Sequence, residues 1–192
     1  MREAAIISTA RTPVAKATRG AFNDTDAPAL AGHAVNAAIA RAGIDPARIE
    51  DVIFDAGSQW GDQGFNIGRT TVFAAGLSDS IPGASVDRKC AGGLTALAFA
   101  ARGIIAGDMD VAVAGGVESI THTRDYAPTH RARPAAVLDL KPHAYMAMIE
   151  TAEIVAERYG ISREAQDEIA AISHQRAAAA VAAGRFADEI AP

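Results

Sequence analysis

Cysteine and tryptophan each occur once in the 192 residues, and leucine only six times. A single thiol excludes a disulfide framework and every structural zinc site built on cysteines. Positive charge is also in deficit. Eighteen Lys and Arg face 23 Asp and Glu, for a formal net charge of −5, so no electrostatic footprint for nucleic acid exists. No run approaches 18 consecutive apolar residues, and the opening MREAAIISTART lacks the apolar stretch of a signal peptide. A soluble, cytoplasmic chain with no membrane partner is expected.

What is plentiful is alanine. Its 46 copies make up about half of the 49% of residues that are hydrophobic. Alanine is the best helix former and lets helices approach closely, although each copy buries little area. With 17 isoleucines beside it, this composition suits tightly packed helices against an isoleucine/valine sheet. It excludes a coiled coil and a disordered tail.

Strand-like and helix-like segments alternate through the first two thirds of the chain. Short apolar runs predict strands at Glu3–Ser8, Asp51–Phe54, Ala84–Asp87 and Val111–Ala114. Helical spacing predicts Ala29–Ala42, stopped by Gly43, and Asn66–Ala75, with Asn66 as N-cap. A further apolar helix runs from about Cys90 to Ala106 and closes at Gly107. This order predicts an α/β sandwich with a mixed, mostly parallel sheet. Residues 121–142 read as irregular, with three prolines. Two helices follow, near Thr151–Tyr159 and Arg163–Ala183, the second capped by Ser162. No closing strand is evident after them. Residues 1–121 are therefore expected to form an α/β domain, and 122–192 part of a helical domain.

Cys90 is the candidate for chemistry. It sits between a predicted strand and the first turn of a predicted helix, where unpaired N–H groups and the macrodipole favour a thiolate. Gly92 and Gly93 weaken a helix start, and they make sense where a substrate or another backbone comes close. The helix beyond is apolar almost all round, which predicts burial on every side. Spacing alone leaves Cys90 open between a nucleophile and a small buried hydrophobe. His33, His122, His130, His143 and His174 read as surface or satisfied histidines, and no motif recommends one as a base. Glu118 and Ser119 read as local structural hydrogen-bonders, and Trp60 as a core or interface aromatic. GSQWGDQG lacks the spacing of a phosphate loop.

The segment SVDRKCAGGLTAL closely resembles the nucleophile segment of the thiolases, the acetyl-CoA acetyltransferase family. RTPVAK with RGAF, DVAVAGGVESI, and TAEIVAERYGISREAQDEIAAISHQRAAAAVAAGRFADEI resemble further family stretches in the same order. The resemblance implies the N-terminal half of a thiolase-like α/β sandwich, with part of the helical loop domain that covers substrate. It implies that Cys90 accepts an acyl group from acyl-CoA, with its own N–H as one oxyanion-hole donor. The reaction class is 3-ketoacyl-CoA thiolysis or acyl-CoA condensation, within lipid metabolism, with CoA thioesters as substrates and no bound cofactor or metal.

Met148 falls where the family has a substrate-lining methionine. Ile149 follows it where the family usually has glycine, which alters the expected acyl pocket. Plain core packing is the competing account of Met148. Thiolases are roughly twice as long, and their second half carries a histidine, a second cysteine and an asparagine of the site. The GHP and CxGGG stretches are absent here, so catalysis by this chain alone is expected to be incomplete. A homo-oligomer, or a partner chain supplying the second half, is therefore expected. The alternatives are a subunit of a split enzyme and a non-catalytic acyl-CoA-binding or scaffolding half-protein.

Overall fold

Five residues, Asp51–Asp55, form the central strand β1, and all but the first are buried. The computed structural model describes residues 2–192. β1 lies between β2 (Gly83–Val86) and β3 (Ala112–Gly116), and both pairings are parallel. The sheet is thus wholly parallel among the described residues, with order β2-β1-β3. The antiparallel admixture expected from the sequence is absent. So is the expected strand at Glu3–Ser8, which joins no ladder and leaves Ile6 and Ile7 about two-thirds exposed. A β-propensity run becomes a strand only where a neighbour accepts its hydrogen bonds.

Side-chain alternation along β1 divides the core in two. Val52 and Phe54 face α1 (Ala27–Ala42) and α2 (Ile67–Ala74), meeting Ala31, Val35, Ile39, Ile67 and Val72. Each of the larger aliphatic side chains contributes roughly 1.5–3 kcal/mol when fully buried. Ile53 faces the other way, against Ala96 and Ala100 of α3 (Gly92–Ala106). The caps follow the expected chemistry. Asn66 accepts from the N–H of Arg69, and Gly43 and Gly107 close α1 and α3 in the left-handed conformation. Gly68 lets α2 lie on β2, since a Cβ there would come 2.2 Å from the Ala84 carbonyl oxygen.

α3 corrects one expectation. Its inner face packs on the sheet, while Leu94 (72% exposed), Phe99 and Ile105 face outward. The helix is apolar all round but covered on one side. Lys89–Ala106 is long and apolar enough to cross a membrane by length and composition alone; here it packs on β1 and β3.

The chain divides into two compact units, one through Ala127 with Glu189–Pro192, the other Pro128–Asp188. The division thus falls six residues beyond the expected 121, and the last four residues belong to the first unit. α4 (Ile120–Thr123) belongs to the first unit, and α5 (Ala135–Leu140) to the second, both inside the segment expected to be irregular. α6 (Met148–Tyr159) and α7 (Arg163–Ala182) complete the second unit, with Ser162 capping α7 through the N–H of Ala165. A closing element does exist. Ile190 forms a parallel bridge with Arg11, whose N–H donates to the Glu189 carbonyl, and Arg11 also pairs with the Glu189 carboxylate at 2.8 Å.

Candidate active site

The three strands end together, and the loops leaving their carboxyl ends carry Asp55 to Gly57, Asp87 to Cys90, and Gly116 to Glu118. The chain crosses from β2 to β3 over β1, so these ends lie at a change of direction in strand order, where α/β sheets place ligands.

Cys90 stands in a tight 3₁₀ turn, Lys89–Ala91, that runs directly into α3. Its thiol is exposed, which removes the buried-hydrophobe reading. The turn is reached through Lys89, whose φ of 48° is a left-handed conformation uncommon outside glycine. Three contacts hold it there. The Lys89 N–H donates to Asp87 Oδ1 at 3.0 Å, and its ammonium donates to Asp87 Oδ2 at 2.6 Å and to the Gly57 carbonyl at 2.8 Å. Burial alone would raise the Asp87 pKa, but the Lys89 ammonium and N–H together bring it below the usual carboxylate value. No side chain caps α3, whose N-cap is Ala91.

The two glycines after Cys90 differ sharply. A Cβ on Gly93 would meet open space, whereas one on Gly92 would lie 1.6 Å from Asp55 Oδ1. Asp55 projects from β1 to the same face as Ile53 and lies under the first turn of α3. It is 9% exposed, and its buried Oδ1 has no hydrogen-bond partner. Burial pushes its pKa up, against the pull of the Arg88 N–H; Asp87 and Glu118 push it further up, and Lys89 pulls it down. The strand expected from the sequence ends at Phe54 and leaves Asp55 out. Its one available signal was a carboxylate closing an otherwise apolar run.

Glu118 braces the β1 loop. It accepts from the Gly57 N–H and from Gln63 Nε2, both at 2.8 Å. Gln63 is buried, donates also to the Ser58 carbonyl, and accepts from the Ser119 N–H. The expectation for Glu118 and Ser119 as local hydrogen-bonders holds, and Ser119 also caps α4. Trp60 donates from Nε1 to the Thr123 carbonyl at 2.8 Å. His122 is satisfied, set between Asp62 Oδ2 (2.8 Å) and the Asn23 carbonyl (2.7 Å). Asp26, Asp62 and His122 bring ligand atoms within 4.8 Å of one another. Both His122 ring nitrogens lie against oxygen atoms, those of Asp62 and Asn23.

In the second unit, Met148 opens α6 and is 77% exposed, as is its neighbour Ile149 at 75%. Core packing therefore does not account for Met148. Cys90 and Met148 belong to different units.

A wholly parallel α/β sheet with helices packed on it, and an exposed cysteine on a tight turn at the carboxyl ends of its strands, places the chain among the α/β proteins. Residues 4–192 match the family described as "Thiolase, N-terminal domain", and the chain belongs to that family. It is 42% identical over its whole length to a 3-ketoacyl-CoA thiolase of Bacillus subtilis, covering 49% of that protein. It is 38% identical to a peroxisomal 3-ketoacyl-CoA thiolase of Arabidopsis thaliana, with 97% of this chain and 41% of that one aligned. The crystal structure of the Bacillus anthracis acetyl-CoA acetyltransferase superposes with a TM-score of 0.87 at 33% identity, covering all of this chain and 51% of that one. The chain spans about half the length of the curated relatives it matches.

Proposed function

We propose that this chain carries the nucleophile of a thiolase-type acyl-CoA acyltransferase. The observation that supports the reading best is the exposed Cys90 on its lysine-braced turn, with open space above Gly93. The Cys90 sulfur, as thiolate, forms a bond to the thioester carbonyl carbon, and the bond from that carbon to the CoA sulfur breaks. CoA leaves as its thiolate and takes a proton from solvent. The N–H of Cys90 itself, at the uncapped start of α3, supplies a hydrogen bond to the oxyanion. Met148, exposed at the start of α6, is the candidate acyl-lining residue, and no bound cofactor is required.

The test is intact-mass spectrometry of the chain after incubation with acetyl-CoA. One acetyl group on Cys90, absent from Cys90→Ser, is expected; acetylation that survives Cys90→Ser would overturn the reading. Thiolysis or condensation of 3-ketoacyl-CoA in lipid metabolism is the overall reaction we assign, in the cytoplasm, with further groups of the site contributed from outside these 192 residues.

One observation favours a second reading, a scaffolding or split-subunit half. The outward apolar side chains of α3 suit a covering partner, a second copy or a chain supplying the other half. Sedimentation velocity discriminates, since a monodisperse monomer would remove this reading.

A further inference from the structure

Asp55 is the one carboxyl near the nucleophile turn that is both deeply buried and left with an unpartnered oxygen. A buried carboxylate oxygen without a donor is costly to retain, even where its carboxylate is approached by another N–H, here that of Arg88. Three facts fix where this one points. β1 alternation sends it to the α3 face. The Gly92 backbone approaches it so closely that no side chain fits between them. Cys90 precedes Gly92 by two residues in one tight turn, which sets their Cα atoms roughly 5–6 Å apart. Asp55 thus lies directly beneath the turn that carries Cys90, at a separation comparable with the ~10 Å screening length of ordinary salt.

The other charged groups around Asp55 come from each loop of the site. Asp87 and Lys89 follow β2, Glu118 follows β3, and the Arg88 backbone N–H approaches from the nucleophile turn. Asp87 and Lys89 neutralise each other through their direct contact, and Glu118 is bound by Gly57 and Gln63. Asp55 has no such compensation at Oδ1.

We propose that Asp55 is a positioning residue for Cys90, a carboxyl wedged beneath the nucleophile turn whose charge state sets how much of the thiol is present as thiolate. An ionised Asp55 opposes the thiolate and offsets part of what the start of α3 contributes. A protonated Asp55 removes that opposition, so the two groups titrate as a coupled pair rather than independently. The inference rests on Cys90 being the reacting group.

The experiment is the pH profile of Cys90 alkylation by iodoacetamide, compared between the wild-type chain and Asp55→Asn. The amide keeps the shape of the carboxyl and removes its charge. The Asp55→Asn profile is expected to lie about one pH unit lower than wild type. Superimposable profiles from two folded proteins would overturn the inference and leave Asp55 a space-filler. A second variant keeps the test open should Asp55→Asn not fold: Asp55→Ser also removes the charge, and a profile superimposable on wild type from that folded protein equally overturns the inference. Acetyl transfer is scored separately by mass. A Cys90 adduct with unmoved profiles fails Asp55 alone, and shifted profiles with no adduct fail the functional reading alone.

Discussion

The His122 imidazole contacts Asp62 through one ring nitrogen while the other faces the Asn23 carbonyl, so both nitrogens point at acceptors. A neutral imidazole has one N–H and can serve only one of them, and the imidazolium serves both. The hydrogen bond to Asp62, then the one to Asn23, raise the His122 pKa above its ordinary 6.5. The pair ties α4 to the loop carrying Asp62, which also accepts from the Ala27 N–H at the start of α1.

For a raised histidine, the stabilisation is complete below pH ~6.5 and is lost as the pH rises through the folded-state value. Thermal unfolding should therefore show Tm falling with pH in the window just above 6.5, and His122→Gln should flatten that slope. Equal slopes in the two proteins would discard the imidazolium.

Gly92 and Asp55 should behave as one steric unit. Gly92→Ala drives a methyl into the Asp55 carboxyl and is expected to cost about 1–3 kcal/mol as an overpacked site. Asp55→Ala removes all three clashing atoms, so the double variant should be less destabilised than the sum of the singles. Urea unfolding of the four proteins measures this, and strict additivity would contradict the clash.

Asp55 also has a signature of its own. Its folded-state pKa is raised by burial, so the charged form weakens the native state. Stability it permits at low pH is lost as the pH rises through the folded value. Asp55→Asn should raise Tm at neutral pH and lose that advantage below pH ~3.8, the ordinary aspartate value.

Gln63 is 1% exposed and bonds Ser58, Glu118 and Ser119 at once. Gln63→Leu leaves the buried Ser119 N–H unpaired, at about 1–3 kcal/mol, and removes one contact each from the Ser58 carbonyl and the exposed Glu118 carboxylate. A drop of roughly 1–3 kcal/mol in unfolding free energy is expected, together with slower acetylation of Cys90 as the Gly57 loop loosens. A stability change under 1 kcal/mol would show that the network contributes little.

The outer face of α3 can be altered without touching the sheet. Leu94→Lys with Ile105→Lys should reduce self-association in sedimentation while leaving Tm nearly unchanged, because both side chains already face outward. A large fall in Tm would mean that they pack inside the protomer.

What could be read from the chain beforehand was whatever is settled within a few residues. Asn66 and Ser162 cap their helices, and Gly43 and Gly107 end theirs, because capping is local chemistry. The turn at Cys90 was legible for the same reason. Asp55 was not, because its role depends on which residue of α3 lies over the end of β1. Glu3–Ser8 resembled a strand by composition, yet no partner stands beside it. Which flank of α3 stays open was not legible, since an apolar helix reads the same whether one or both flanks are covered. Met148 and Ile149 fell just before the helix expected at Thr151–Tyr159, because neither a capping side chain nor a glycine marks where it starts.

The bridge between Arg11 and Ile190 has a consequence for the order of events during synthesis. The Glu189 partner of Arg11 lies 178 residues further along the chain, and translation at ~5–20 residues per second delivers it on the order of ten seconds or more later. The sheet and its helices can assemble in that interval. Arg11 therefore waits for its partner while the sheet forms, held meanwhile through neighbours such as Thr9, whose carbonyl Arg41 already contacts, and the bridge is a late step in fixing this segment.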